Sequence, residues 1–343
     1  MSSMPTPLPP APWIVAQAEQ LLAQRGHAWL LYGPSGLGHY ALAMELARAW
    51  LCEQPMEAGR ACGACASCHA IDVRTHADLA VLMPEVTLLA LGWPLGEKAQ
   101  AEIDDKKRKA SKEIRVDAMR ETVEFSQRTS ARGRGKVVLV FPAENMNTIT
   151  ANALLKTLEE PPGDVRFVLA SESAHQLLPT IRSRCMGHAL RWPDAQVSER
   201  WLQSNGLELT QARLFLKAMG GRPEDALAFA ALGHDPAAWG GLPRAMARGD
   251  VAYVKEWTIP QTVDALHKLC HDLMAVSCGA AARFFETADL VECPGIPALS
   301  HWSKELSQTM RTMEHPFNAG LMLESLVGQA KTALNSNNKI RIR

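Results

Sequence analysis

The sequence has no surplus charge of either sign: 36 Lys and Arg balance 36 Asp and Glu over 343 residues. That balance argues against a wholly basic nucleic-acid coat, while local patches stay open. Apolar runs of the ~18 residues needed to span a membrane are missing, so no membrane partner is expected. The opening residues, MSSMPTPLPPAPW, are proline-rich and lack the basic and apolar segments of a signal peptide. They read as a loose, extended leader, and the protein as cytoplasmic. Eight cysteines in a chain of this length do not make a secreted disulfide scaffold. There is no internal repeat. What is present is 47% apolar residues, enough for ordinary cores, and a length that suggests two or three domains at about 150 residues each.

From Ile14 to about Arg191, short apolar runs alternate with stretches of helical spacing. The runs are AWLLYG (28–33), DLAVLM (78–83), KVVLVF (136–141) and RFVLAS (166–171). Between them lie YALAMELARAWL (40–51), VDAMRETVEFSQ (116–127) and TITANALLKTLEE (148–160). Buried strands alternating with helices predict an α/β domain, a parallel sheet with helices on both faces. Thr148 or Thr150 is placed to cap the third helix, Pro161-Pro162 stops it, and Leu154, Leu155 and Leu158 form its core face. After Trp192-Pro193 strand-like runs cease, and apolar residues recur at helical intervals in 263–276 and 318–334. The expected divisions are a core domain over 1–192, a small helical module over 193–233 and a separate helical domain over 234–343.

The stretch GPSGLGHY (33–40) has the glycines of a phosphate-binding loop, Gly33, Gly36 and Gly38, between a strand and a helix. In a working loop, backbone amides cradle the phosphates, a lysine reaches the outer ones and a Ser or Thr holds Mg²⁺. Here His39 and Tyr40 stand in those two places. The partner strand, KVVLVF, should end in an acid that holds the metal; it ends in Phe141 and Pro142. Glu144 is the nearest carboxylate, three residues past the tip and out of register. With both halves lost, productive binding of ATP and Mg²⁺ is not expected, and the glycines serve as a tight strand–helix turn.

Cys52, Cys62, Cys65 and Cys68 fall within seventeen residues, spaced C-x9-C-x2-C-x2-C. Two-residue gaps let successive thiolates turn onto one ion, and four sulfurs suit tetrahedral Zn²⁺ in a closed, structural site. Disulfides are the alternative, disfavoured in the cytoplasm; a chance cluster of buried thiols fits poorly with the glycine-rich surroundings. His69, beside the cluster, reads as a surface residue. His267, Cys270 and His271 also have metal-like spacing but no second cluster to complete a site, and they read as packing residues, as do Cys278 and Cys293. Residues 84–113 look like an irregular, solvated insert ending in the charge run Lys106, Lys107, Arg108 and Lys109, with a nucleic-acid contact as the alternative reading of that run. By residue type alone, Arg184 in Ser183-Arg184-Cys185 is an ordinary arginine at a strand–loop junction.

Taken together, these segments resemble the delta-prime family of the bacterial DNA polymerase III clamp loader. The resemblance runs over nearly all of 12–195 and more thinly beyond. Its most specific run is ANALLKTLEEPP (151–162) followed by the SRC triplet (183–185), with RGHAWLLYGPSGLG (25–38), the four-cysteine insert (52–68) and THADL (75–79) also fitting. The ATP-hydrolysing gamma/tau subunits share the first two segments but carry an intact lysine–threonine loop and an acidic strand end. The resemblance implies an AAA+ core, a small helical lid and a helical collar that closes a five-membered arc. It implies a component of the DNA polymerase III holoenzyme without ATPase activity of its own, with gamma/tau and delta as partners and the sliding clamp and primed DNA as targets. It further implies that Arg184 is an arginine finger, directed at the ATP of an adjacent subunit. An autonomous AAA+ ATPase with an unorthodox loop is the alternative, and a zinc-dependent DNA-binding protein a third.

Overall fold

Four of the chain's apolar runs become strands of one sheet, and a fifth strand joins it at the edge. The computed structural model describes residues 10–233, 236–312, 318–336 and 339–340; most of the expected leader, residues 1–9, lies outside them. In chain order the first compact unit, residues 1–197, contains α1 (Pro12–Leu22), β1 (Ala28–Tyr32), α2 (His39–Leu51), α3 (Ala66–Asp72), β2 (Leu79–Leu82), α4 (Glu85–Ala90) and α5 (Glu97–Asp104). It continues through α6 (Val116–Gln127), β3 (Lys136–Val140), α7 (Thr148–Glu159), β4 (Val165–Ser171), α8 (Pro179–Arg182) and β5 (Met186–Ala189).

The sheet is wholly parallel, in the order β2-β3-β4-β1-β5. On one face Leu30, Val138, Val140, Phe167 and Leu169 pack with Met119 of α6 and with Leu154 and Leu158 of α7. Side chains alternate along a strand, so Leu31, Leu139 and Val168, each fully buried, serve the other face, where α2 packs on β1, β3 and β4 and α1 packs on α2. This is the predicted α/β class. The edge strand β5 carries no sequence signal, because Met186, Gly187 and Ala189 are exposed and only His188 is buried.

Two local expectations are corrected. The α7 cap is Asn147, whose side chain accepts from the Thr150 N–H at 2.9 Å. Thr150 is fully buried and donates instead to the Ile114 carbonyl at 3.1 Å. The 84–113 insert is not an irregular linker: it forms α4 and α5. Within its charge run Arg108 is drawn inward, donating to Glu85 at 2.5 and 2.8 Å and to Glu102 at 2.7 Å, whereas Lys106, Lys107 and Lys109 are exposed.

The second unit, residues 198–343, is helical. It holds most of α9 (Ala195–Ser204), then α10 (Leu209–Ala218), α11 (Pro223–Ala231), α12 (Pro236–Arg248), α13 (Ile259–Ser277), α14 (Ile296–Thr312) and α15 (Ala319–Leu334), with one short antiparallel pair, β6 (Cys293–Pro294) and β7 (Lys339–Ile340). Its buried apolar residues form one cluster, from Leu202 to Leu334, in which Trp239 stacks on Phe285 at 4.7 Å. Gly220 and Gly221 take positive φ just before α11, whose first residue is Pro223. Among the described residues no helix is long and apolar enough to cross a membrane.

Candidate functional site

The glycine loop lies where open α/β sheets place ligands, outside the carboxyl end of β1. Gly36 and Gly38 take φ of 73° and 98°, conformations that favour glycine, and Gly38 leads directly into α2. Trp13 of α1 donates its indole N–H to the Leu37 carbonyl at 3.0 Å, and Leu37 is itself fully buried. The loop is thus tied into the core. A Cβ at Gly33 would stand 3.6 Å from His39 Nε2 and 3.7 Å from Leu37 Cδ1, so the imidazole folds back against the loop. His39 is 2% exposed. Burial drops its pKa to about 4, against a smaller opposing pull from the Gly33 backbone. At pH 7 the ring is neutral and offers no charge to a phosphate.

Tyr40 and Phe141, in the two places where a metal would be gripped, touch each other, with ring centroids 5.8 Å apart. The Tyr40 hydroxyl accepts the indole N–H of Trp93 at 2.8 Å, and burial pushes its pKa up. Trp93 comes from the insert, is 8% exposed, and lies beneath the Arg74 guanidinium, 5.7 Å from the ring centre. Glu144 is turned elsewhere: its Oε1 accepts the Glu172 N–H at 3.0 Å. An aromatic, hydrogen-bonded cluster therefore fills the corner where a hydroxyl and a carboxylate would be needed. The Trp93–Tyr40 contact, across 53 residues, had no signal in the sequence.

The four cysteines converge at the end of α2 and the start of α3. Their sulfurs all lie within 4.8 Å of one another and could hold a metal such as zinc. Zn–S bonds of ~2.3 Å in a tetrahedron require S···S edges of roughly 3.8 Å. The distances Cys52–Cys62, Cys52–Cys65 and Cys65–Cys68 are 3.6, 3.9 and 3.5 Å, far too long for disulfides. The Cys65 thiol, despite burial that opposes ionisation, is drawn to about 6 by backbone N–H groups, led by that of Cys68, and by its cysteine neighbours. Burial raises Cys52 and Cys68. The donor set fits a closed tetrahedral site with no position left for substrate. His69 is exposed, as expected.

THADL acquires a physical role. His76 Nε2 lies 3.0 Å from Ser67 Oγ on α3, and its Nδ1 accepts the Asp78 N–H at 3.0 Å. Asp78 is fully buried. It accepts from the Ala131 and Arg132 backbones at 2.7 and 2.9 Å and from Ser130 at 3.0 Å, with Lys136 Nζ 3.5 Å away. One carboxylate ties the loop before β3 to the segment that follows the cysteines.

Arg184 stands on the turn between α8 and β5, 30% exposed. Its Nε donates to Glu159 Oε1 at 2.7 Å, Nη2 donates to the same oxygen, and Nη1 donates to the Thr180 carbonyl at 2.8 Å. Glu159 ends α7 within the TLEE run. An acid at the negative end of a helix is electrostatically misplaced unless paired, and that was the overlooked signal. The loop, the cysteines and Arg184 are separate centres of one unit. In the second unit, Cys270 is buried and donates to the Leu299 carbonyl, His271 lies against Asp272, Cys293 is buried beside Ser277, and Cys278 is exposed. Among the described residues the only Cys/His/Asp/Glu group with ligand spacing is the four-cysteine one.

The family model described as DNA polymerase III, delta subunit, matches residues 15–193. The chain is 44% identical over 193 residues to the DNA polymerase III subunit delta' of Pseudomonas aeruginosa, covering 56% of this chain and 52% of that protein. It is 36% identical over 224 residues to the Escherichia coli protein of the same name, covering 63% and 60%. The E. coli subunit tau is 33% identical over 170 residues, covering 50% of this chain and 22% of tau. The matches thus span between half and two thirds of the delta' relatives' own length.

Proposed function

The chain belongs to the DNA polymerase III delta subunit family, and from that membership we propose that it is the non-hydrolysing, delta-prime subunit of a replicative clamp loader. Its nucleotide-type domain serves as a comparatively rigid platform in the cytoplasm, beside gamma/tau and delta. Subunits that hydrolyse ATP rearrange against it, open the sliding clamp and place it on primed DNA. Arg184 acts in trans as the arginine finger for the adjacent subunit's ATP. The helical residues 193–233 form the lid and 234–343 the collar that closes the arc. Zn²⁺ held by Cys52, Cys62, Cys65 and Cys68 staples the segment between α2 and β2 and has no catalytic part.

The observation that carries this reading is the contact of Tyr40 with Phe141, together with the hydrogen bond that the Tyr40 hydroxyl accepts from Trp93. Aromatic rings fill the metal-binding corner while the loop's shape persists, which supports a domain kept for its form and not for its own nucleotide. Arg184 supports the complementary half: it is partly exposed, and three of its five N–H donors are engaged, leaving two for a phosphate oxygen.

In this scheme the neighbour binds Mg-ATP and positions water. Arg184 adds positive charge where negative charge spreads over the transferring phosphoryl group. Such fingers are worth about 10³–10⁵ in rate. Arg184→Ala in a reconstituted loader should therefore nearly abolish clamp- and DNA-stimulated hydrolysis at the adjoining site, with assembly intact. Undiminished turnover at that site would remove the role. The isolated chain should neither retain nor turn over Mg-ATP in a direct titration; micromolar affinity with turnover would favour an autonomous ATPase instead.

A further inference from the structure

We infer that Glu159 is a positioning residue for Arg184: it fixes the angle of the guanidinium before a neighbour's phosphate arrives and keeps hold of it during hydrolysis. The inference rests on the proposed role of Arg184. Arginine has a long stem with many rotamers but a rigid, planar head. Here one edge of that head, Nε and Nη2, is committed to the single oxygen Oε1 of Glu159, and Nη1 is committed to the Thr180 carbonyl. Two anchors on a planar group determine where its remaining two donors point. Those donors can bind a phosphate oxygen without release of Glu159.

The anchors come from different elements. Glu159 is the last residue of α7, and Thr180 belongs to α8, which packs on α7. α7 is itself seated in the core through Leu154 and Leu158, so the finger is referenced to the sheet and not merely to its own turn. The negative end of α7 adds to the attraction for the guanidinium. Glu159 is 47% exposed, and an exposed ion pair contributes little to folding. Its removal should therefore leave stability and assembly unchanged, which makes any kinetic effect interpretable.

The test is ATP hydrolysis by the reconstituted loader, stimulated by clamp and primed DNA, for Glu159→Ala, Glu159→Gln, Arg184→Ala and the double variant Glu159→Ala/Arg184→Ala. Glu159→Ala should lower kcat at the adjoining site about tenfold, the order expected when a long side chain must be ordered during the reaction. KM for ATP should stay fixed, because the neighbour's own loop holds the nucleotide. Glu159→Gln, which keeps one acceptor oxygen for Nε, should recover most of the rate. The double variant should be no slower than Arg184→Ala, since Glu159 acts only through the arginine. Full or raised activity of Glu159→Ala alongside an inactive Arg184→Ala would overturn the positioning role and leave the finger standing. Additive losses in the double variant would do the same. An active Arg184→Ala would overturn the finger, and this inference with it.

Discussion

Replacing Asp78 with alanine should destabilise the α/β unit more than most single changes, and the size of the loss can be worked from its contacts. The carboxylate is fully buried, accepts from Ala131, Arg132 and Ser130, and neutralises Lys136, which is 5% exposed. Breaking a buried pair by removing one partner costs about 3–5 kcal/mol, because the other charge is stranded. Lys136 keeps some relief from the face of Phe125, 3.8 Å away, and water can reach the opened loop, so we take about 4 kcal/mol. For a domain of this size about 1 kcal/mol shifts Tm by roughly 2–4 °C, which gives a fall of roughly 8–16 °C. Calorimetry on the full chain measures it directly. Hydrogen exchange at the Ala131 and Arg132 amides should accelerate in parallel. Lys136→Met in the Asp78→Ala background should restore part of the stability, since no ammonium is then stranded. Burial alone would raise the Asp78 pKa; the Ala131 and Arg132 N–H groups, Ser130 and Lys136 outweigh it and hold the value below the ordinary one. Asp78 therefore stabilises above the ordinary carboxylate pKa of about 3.9, and that stability is lost as pH falls through the folded value. The variant should lack this part of the acid limb. A melting point within about 3 °C of the parent, where a cost near 1 kcal/mol would put it, would refute the reasoning.

Cys65→Ser should lower zinc content, measured by metal analysis, and speed proteolysis between Cys52 and Cys68, with a smaller effect on clamp loading than Arg184→Ala. His39 sets a second pH dependence. Its folded pKa of about 4 lies below the ordinary 6.5, so the unfolded chain takes up the proton first. Stability should fall by up to about 3 kcal/mol as pH drops from 6.5 to 4, and His39→Gln should flatten that slope in urea titrations. Tyr40→Phe leaves the Trp93 N–H without its acceptor and should cost about 1–3 kcal/mol; a shift in tryptophan emission should accompany it, and an unchanged melting curve and spectrum would argue against the cluster.

Much of the first unit was legible because β1, β3 and β4 are buried on both faces and so appear as unbroken apolar runs. VDAMRETVEFSQ coincides with α6, and TITANALLKTLE with α7. What escaped did so for physical reasons. β5 sits at the sheet edge with three of four residues exposed, so it has no run to find. The insert lacks a long periodic segment and is ordered by side chains distant in sequence, Arg108 to Glu85 and Trp93 to Tyr40. At the candidate site, the missing lysine, hydroxyl and acid could be read directly. The groups that replaced their interactions could not, because a partner 25 or 53 residues away leaves no local spacing. The cysteine cluster was the most readable part, since thiols that could share one metal must be close in space and here are also close in sequence.

The Tyr40–Phe141–Trp93 contact bears on ancestry and reversal. A lysine at position 39 would put an ammonium where a sealed, neutral ring now sits. A threonine at 40 would strand the Trp93 indole, and an aspartate at 141 would face a phenol instead of a cation. Each step toward a competent ATPase would cost stability before it gave any catalysis. If the proposed loss of hydrolysis holds, this cluster would make it a ratchet: the path back would need several changes at once, which selection acting one substitution at a time could not take.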